Sequence, residues 1–388
     1  MAIVLIVLFL IAVVFLACDF VPDFLNWFGR IKIGQVNDDK LWIESLKKVL
    51  LKWIGTGAPN VPKNENRRLI LLEKIKSRKT VSPICYWQDA ALLKAADSDC
   101  GAEINEAVGN LSDRYIDNLS GNWKTEPQKV DVAILSYELM CNEFIDSKTI
   151  EPAMDYVAEF LLKRYEKYGY IPYNDNIPEI QFVDTVGMVC PFFIKYAVEY
   201  NKPEFVDIAM KQLAVYRQKG FDSEMKLPFH CFDGNTNARL GICGWGRGCG
   251  WWALGIADSL KALIATDGYE KEKELLLKLN IDFLDLFEKY ISDDGAVCRM
   301  VLNSSLYDSS ASAMFAYCYA SLYTLTQKEN YKEDALKILQ HLKNVTRRNG
   351  VIDFSQGDTM GIGYYSSGYS VVPAAQGFAL AAAKILEL

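Results

Sequence analysis

Few side chains in this sequence can do acid–base chemistry, and the notable ones stand beside aromatic residues and glycines. Histidine occurs twice, as His230 and His341, which rules out a site built from several imidazoles. Carboxylates must then do the work. Asp184, in Gln181-Phe182-Val183-Asp184-Thr185-Val186-Gly187-Met188, enters a run that stays apolar through Ile194. Desolvation there raises a carboxyl's pKa, which suits a general acid near neutral pH. Asp184 is also placed to cap its helix, and the two roles can coexist. Asp131, in Lys129-Val130-Asp131-Val132-Ala133, likewise opens a helix. Capping is its default role, and a second carboxylate facing the cavity of Asp184 is the functional one.

A second concentration is the stretch from Leu227 to Trp252. Gly244-Trp245-Gly246-Arg247-Gly248-Cys249-Gly250-Trp251-Trp252 lacks the Lys-Ser/Thr ending of a phosphate loop, and no strand is expected before it. Its glycines allow close backbone approach. Arg247, between Trp245 and Trp251, offers a planar fork to a carboxylate, or forms an internal ion pair. The tryptophans can stack on sugar rings. His230 follows Leu227-Pro228-Phe229, where a satisfied core histidine is the commoner outcome. Tyr86, in Cys85-Tyr86-Trp87-Gln88-Asp89, opens another helix. The turns at Asp293-Asp294-Gly295 and Asp308-Ser309-Ser310 read as helix boundaries.

The elements that must position these residues are helical. Apolar periodicity predicts helices over 39–54, 65–78, 85–95, 102–118, 129–145, 148–168, 182–200, 203–218, 248–266, 270–291, 309–327, 329–346 and 371–387, with almost no sustained alternation. Paired helices closing into a ring are expected. An open solenoid is the alternative, but no sequence signature recurs between hairpins.

Composition narrows the function. A chain of 388 residues with 51% hydrophobic and 23% charged residues is neither disordered nor low in complexity. With 42 basic and 49 acidic residues the net charge is −7, so nucleic-acid binding has no electrostatic footprint. The 10 cysteines include no C-x-x-C pair and read as free thiols in a reducing compartment. A zinc set of Cys231, Cys243, Cys249 and His230 fits no standard spacing, so no zinc site is expected from the cysteines.

Residues Ala2 to Ala17 are unbroken apolar sequence, extended by Cys18. Arg30, Lys32, Lys40, Lys47 and Lys48 follow, and no Lys or Arg precedes. The positive-inside rule then favours an uncleaved anchor with a cytoplasmic body. Phe15-Leu16-Ala17-Cys18 is a loose lipobox, so a periplasmic or surface lipoprotein is the alternative. The expected divisions are 1–28 as the anchor, 29–64 as juxtamembrane helix and linker, and 65–388 as the body.

Five segments in order resemble the unsaturated glycuronyl hydrolases of glycoside hydrolase families 88 and 105. Tyr86-Trp87-Gln88 is similar to the aromatic opening of the first inner helix. Phe182-Val183-Asp184-Thr185-Val186-Gly187-Met188 with Pro191-Phe192 resembles W-x-D-x-x-x-M…P-F. Phe229-His230-Cys231-Phe232-Asp233 resembles Y-H-x-W-D. Gly244 to Trp251 resembles W-x-R-x-x-G-W, and Asp308 to Tyr317 resembles S-S-G-S-x-x-x-x-Y. Two departures stand out. Tyr173 and Asn174 replace a frequent Trp-His or His-Lys pair, and Phe182 replaces a usual Trp.

The resemblance implies an all-α (α/α)6 barrel with its site at one mouth and no cofactor. Its substrate would be an oligosaccharide ending in a C4=C5 unsaturated uronic acid. Asp184 would protonate C4 and then help activate water. Asp131 matches the second family aspartate, with Glu126 competing for that place. His230, Trp245, Arg247 and Trp251 would hold the sugar, and Tyr86 would line the pocket. Two other functions remain open. One is a membrane-tethered glycan-binding or polysaccharide-assembly protein without turnover. The other is a different (α/α)6 sugar enzyme, such as a lyase or an epimerase. An epimerase of this fold usually relies on paired histidines.

Overall fold

The computed structural model describes the chain apart from residues 37, 63–69, 77–80, 83–84 and 360, and apart from the side chains of 62, 70, 73, 74, 81, 82, 304 and 305. The described helices are α1 (Ala2–Arg30), α2 (Asp39–Thr56), α3 (Ile70–Ile75), α4 (Tyr86–Lys94), α5 (Ile104–Tyr115), α6 (Val132–Cys141), α7 (Glu151–Tyr168), α8 (Val183–Glu199), α9 (Glu204–Lys219), α10 (Gly246–Ile264), α11 (Glu270–Phe287), α12 (Ser309–Thr326), α13 (Glu329–Asn344) and α14 (Pro373–Ile385). The helix expected over 65–78 lies partly outside the described residues.

α4, α6, α8, α10, α12 and α14 each pack on the next, and α14 returns to α4, closing an inner ring. α2, α5, α7, α9, α11 and α13 pack around it. This is the (α/α)6 barrel. Inner helices are covered on all sides, so they are apolar all round. In α8, Val186 through Ile194 is continuously buried. Outer helices bury one face only, as in α13, where Tyr331, Ala335, Ile338, Leu339 and Leu342 point inward. Small residues set the closest approach. A Cβ on Gly187 of α8 would come within 2.6 Å of the Trp251 carbonyl oxygen of α10.

α2 was expected apart from the body. Instead it buries Trp42, Ile43, Leu46, Val49, Leu50, Trp53 and Ile54 against α14, α5 and α4. Its broad apolar face is barrel packing, and the Trp42 indole donates to Thr346 Oγ1 at 2.9 Å. α1 is the one described helix long and apolar enough to cross a membrane, with 29 residues and a mean hydropathy of 3.1 over its most apolar window. A membrane anchor or a signal sequence fits it equally.

Short strands are a second departure from expectation. Ile180–Phe182, Phe229–Asp233 and Arg239–Cys243 form an antiparallel sheet, with Phe182 opposite Cys231 and Cys231 opposite Leu240. Strands of three to five residues are too brief to show alternation in sequence. A strand therefore does precede the glycine-rich turn, although the phosphate-binding Lys-Ser/Thr ending is still missing. The sheet and the other outer-to-inner connections gather at the N-terminal ends of the inner helices. That end is the mouth.

Candidate active site

A cavity of about 700 Å³ opens at the mouth and is lined by Asp131, Asp184 and His230. Each comes from the start of an element or from the sheet. Asp131 immediately precedes α6, Asp184 lies in the first turn of α8, and His230 is on the strand Phe229–Asp233. Residues at such junctions leave the regular helix wall and can face the opening.

Asp131 is 3% exposed. Burial pushes its carboxyl up to about 6, and the negative Asp358 adds to the rise. Lys129 and hydrogen bonds from the amides of Asp131 and Tyr86 act against it. Its Oδ1 is buried without a hydrogen-bond partner among the described residues. Such an oxygen is costly unless a ligand or water satisfies it.

His230 Nε2 lies 3.4 Å from Asp184 Oδ2. On its other side, Nδ1 is 3.0 Å from the Tyr365 hydroxyl, which accepts the Ile242 amide at 3.0 Å. The hydroxyl can donate to a bare Nδ1 or accept from Nδ1–H; in the first arrangement the ring carries its hydrogen on Nε2, toward Asp184. Phe182, Trp245 and Tyr365 enclose the ring, with centroids 5.2, 4.6 and 5.3 Å away.

Tyr173 lies within electrostatic reach of the acidic groups. Burial, then Asp131, Asp184 and Asp358, raise its phenol well above the usual range. Lys129 and Arg164 bring positive charge to the cavity wall. Arg164 Nε donates to Asp175 at 3.0 Å. The positions that depart from the family pattern, Tyr173, Asn174 and Phe182, all line this cavity.

Other expected site residues stand one layer back. The Trp245 indole donates to Gln356 Oε1 at 3.0 Å. Arg247 lies 5.1 Å from the Trp245 ring and donates to the carbonyls of Gln356 and Gly357 at 2.9 and 3.0 Å and to Ser310 Oγ at 3.1 Å. Asp308 Oδ2 lies 3.6 Å from it. Arg247 thus fixes the segment that carries Asp358 to the cavity. Its fork is taken up by the chain itself. Trp251 packs edge-on to Trp87 at 5.6 Å. Tyr86 is half-buried against Tyr115, 5.6 Å away, and its amide serves Asp131. None of Trp245, Arg247, Trp251 and Tyr86 lines the cavity. Glu126 is exposed, with Oε2 3.5 Å from the Tyr156 hydroxyl, and does not reach it either.

Among the described residues no three His, Cys, Asp or Glu side chains group as metal ligands. Cys231 and Cys243 direct their thiols to the carbonyls of Leu240 and Leu227. Sequence reasoning missed Lys129, Arg164, Asp358 and Tyr365. Only Lys129, beside Asp131, lay within a segment already singled out.

The model of Glycosyl Hydrolase Family 88 matches residues 90–385. This chain belongs to that family and is a glycoside hydrolase. No curated protein matches its sequence. Solved structures share the fold. A possible family 105 member from Klebsiella pneumoniae has a TM-score of 0.67 at 16% identity, covering 90% of this chain and 92% of its own. A family 105 glycoside hydrolase from C. acetobutylicum has a TM-score of 0.65 at 16% identity, with coverages of 78% and 92%. An unsaturated glucuronyl hydrolase from Bacillus sp. GL1, described as responsible for glycosaminoglycan degradation, has a TM-score of 0.64 at 15% identity, with coverages of 88% and 94%.

Proposed function

We propose that this glycoside hydrolase acts on oligosaccharides ending in a C4=C5 unsaturated uronic acid, with Asp184 as general acid and then base. The observation that carries the reading is the convergence of Asp131, Asp184 and His230 on one mouth cavity that also receives Lys129 and Arg164. Lys129 offers the wall a cation for a substrate carboxylate, Arg164 being held by Asp175.

Asp184 gives its proton to C4 of the enol ether, and positive charge develops at C5, shared with the ring oxygen. Water adds its oxygen to C5 and returns a proton to the Asp184 carboxylate. The hemiketal opens, leaving C1 with a hydroxyl and the aglycone oxygen, and this hemiacetal releases the next sugar. His230 Nε2–H steadies Asp184 while it is ionised. Asp131 is protonated below about pH 6, which spares Asp184 a second negative neighbour, and its free oxygen accepts a sugar hydroxyl. Trp245, Arg247, Trp251 and Tyr86 serve binding by holding this wall rather than by touching the sugar. The family's membership, the rise at Asp131 and the His230–Asp184 contact support the reading together.

We read α1 as an uncleaved anchor with the body on the cytoplasmic side, on the charge asymmetry around it. The test of the reaction is direct. Supply the full chain with lyase-generated oligosaccharides from pectin, glycosaminoglycan and ulvan, and follow the ultraviolet absorbance of the double bond. Loss on at least one class is expected. No loss on any overturns the assignment.

A further inference from the structure

α1 leaves the barrel at the mouth end. The Arg30 guanidinium donates twice to Asp353, at 2.8 and 3.0 Å, and once to the Tyr369 carbonyl at 3.1 Å. Arg347 also binds Asp353, at 2.7 Å through Nε, and reaches Asn26 of α1. Asp353 is fully buried, in the same α13–α14 connection that brings Asp358 to the cavity. The helix is therefore fastened to an active-site loop without a flexible linker.

Its length fixes the distance. At about 1.5 Å per residue, the unbroken apolar residues 2–18 span roughly 25 Å of the ~30 Å hydrocarbon core, ending before the buried Asp19. Residues 19–30 add about 18 Å, a short stalk that crosses the headgroup layer of one leaflet, about 5–8 Å deep. Phe24, Trp27 and Phe28 are exposed in that segment, where aromatic side chains favour the interface.

The loops at the same end are also apolar on their surface. Leu302 and Leu306 on the hairpin before α12, and Ile362 and Tyr364 on the loop before α14, are all exposed, Tyr364 to 56%. Soluble surfaces carry single exposed apolar residues as a rule. Here several share one end of the barrel with the membrane-length helix.

We propose that the mouth face of the barrel lies against the bilayer, with Leu302, Leu306, Ile362 and Tyr364 in the headgroup layer. The cavity then opens onto glycan held at the membrane surface rather than onto free solution. This rests on α1 being membrane-inserted and not on the uronide chemistry.

The test uses the full chain in vesicles of phosphatidylethanolamine and phosphatidylglycerol. Single fluorophores are attached at Leu302→Cys, Leu306→Cys and Tyr364→Cys in a background with the accessible cysteines removed by Cys18→Ser, Cys85→Ser, Cys141→Ser and Cys243→Ser. Val7→Cys in α1 reports insertion, and Lys271→Cys at the start of α11 reports the opposite end. Lipids brominated near the headgroup should quench the three mouth labels several-fold more than the Lys271 label, while deeply brominated lipids quench the Val7 label. Equal quenching at the mouth and at Lys271 overturns the orientation. An unquenched Val7 label overturns it as well. No turnover is measured, so failure here is distinct from failure of the uronide assay.

Discussion

Two acidic clusters occupy the inner ring, and they are built in opposite ways. At the mouth, Asp131 is buried with an oxygen that nothing satisfies, and Asp184 has an imidazole beside it. Deeper in the ring, Glu138 and Asp258 share Lys94, whose ammonium lies 2.6 and 2.9 Å from them. Tyr317 donates to Asp258 at 2.7 Å. Burial works against the Lys94 charge, but Asp258 and Glu138 outweigh it and hold its pKa well above the usual value. The deep cluster is paired off inside the protein. The mouth cluster is left incomplete, and under the proposed function a substrate would complete it. Burial of acids is common to both, so burial alone does not mark a site. An unmet oxygen beside an open cavity does.

The contrast can be broken or sharpened by substitution. Asp184→Asn should lower kcat/KM by about 10²–10⁴-fold, the range for loss of a general acid, with an unchanged thermal melt. Full specific activity would remove Asp184 from the reaction; it does not cap α8, whose N-cap is Phe182. Lys94→Met should do the reverse. Glu138 and Asp258 would be left buried and unpaired, at a cost of about 3–5 kcal/mol, visible in denaturant titration. The folded fraction should keep its turnover, and an activity loss without a stability loss would make the deep cluster functional.

Asp131 gives a pH signature. Its carboxyl is pushed up to about 6 by burial, from a value of 3.8. Across the window from 3.8 to 6 the folded chain holds a proton that the unfolded chain has released, so stability falls as pH rises. Asp131→Asn cannot ionise. It should gain about 1–3 kcal/mol relative to the parent above the window and nothing below it. A stability difference that is constant with pH in parallel denaturation curves would contradict this. Tyr365→Phe is the mildest change. It removes the hydrogen bonds to His230 and from the Ile242 amide, the former worth about 0.5–1.5 kcal/mol. A drop of roughly 2- to 12-fold in kcat is expected, with KM nearly unchanged. An effect on KM alone would make Tyr365 a binding residue.

Much of the fold was legible because inner helices such as α8, α10 and α12 are long apolar runs. The expectation of 182–200 met Val183–Glu199, and 309–327 met Ser309–Thr326. α2 was also found as a helix, but proximity to the apolar N-terminus hid that its face belongs to the barrel. The strands were missed because pairing, not alternation, makes them. In the site, Asp131, Asp184 and His230 were legible as polar residues at the edges of apolar segments. Arg247 drew attention by its glycines and tryptophans, yet those residues make a tight internal joint. Tyr365 stands 135 positions from His230, in a loop with no pattern, and only folding brings them together.

The ring closes between α14 and α4, where Gly377 leaves no room for a side chain against the Ala91 backbone. In chain order the last inner stave thus follows all the others, while α1 precedes them. If α1 partitions into lipid as it leaves the ribosome, the remaining helices wait beside the bilayer as an unclosed hoop. Closure of the ring would then take place at the membrane surface once α14 has been made, and shortening the chain before α14 would leave no partial barrel able to work.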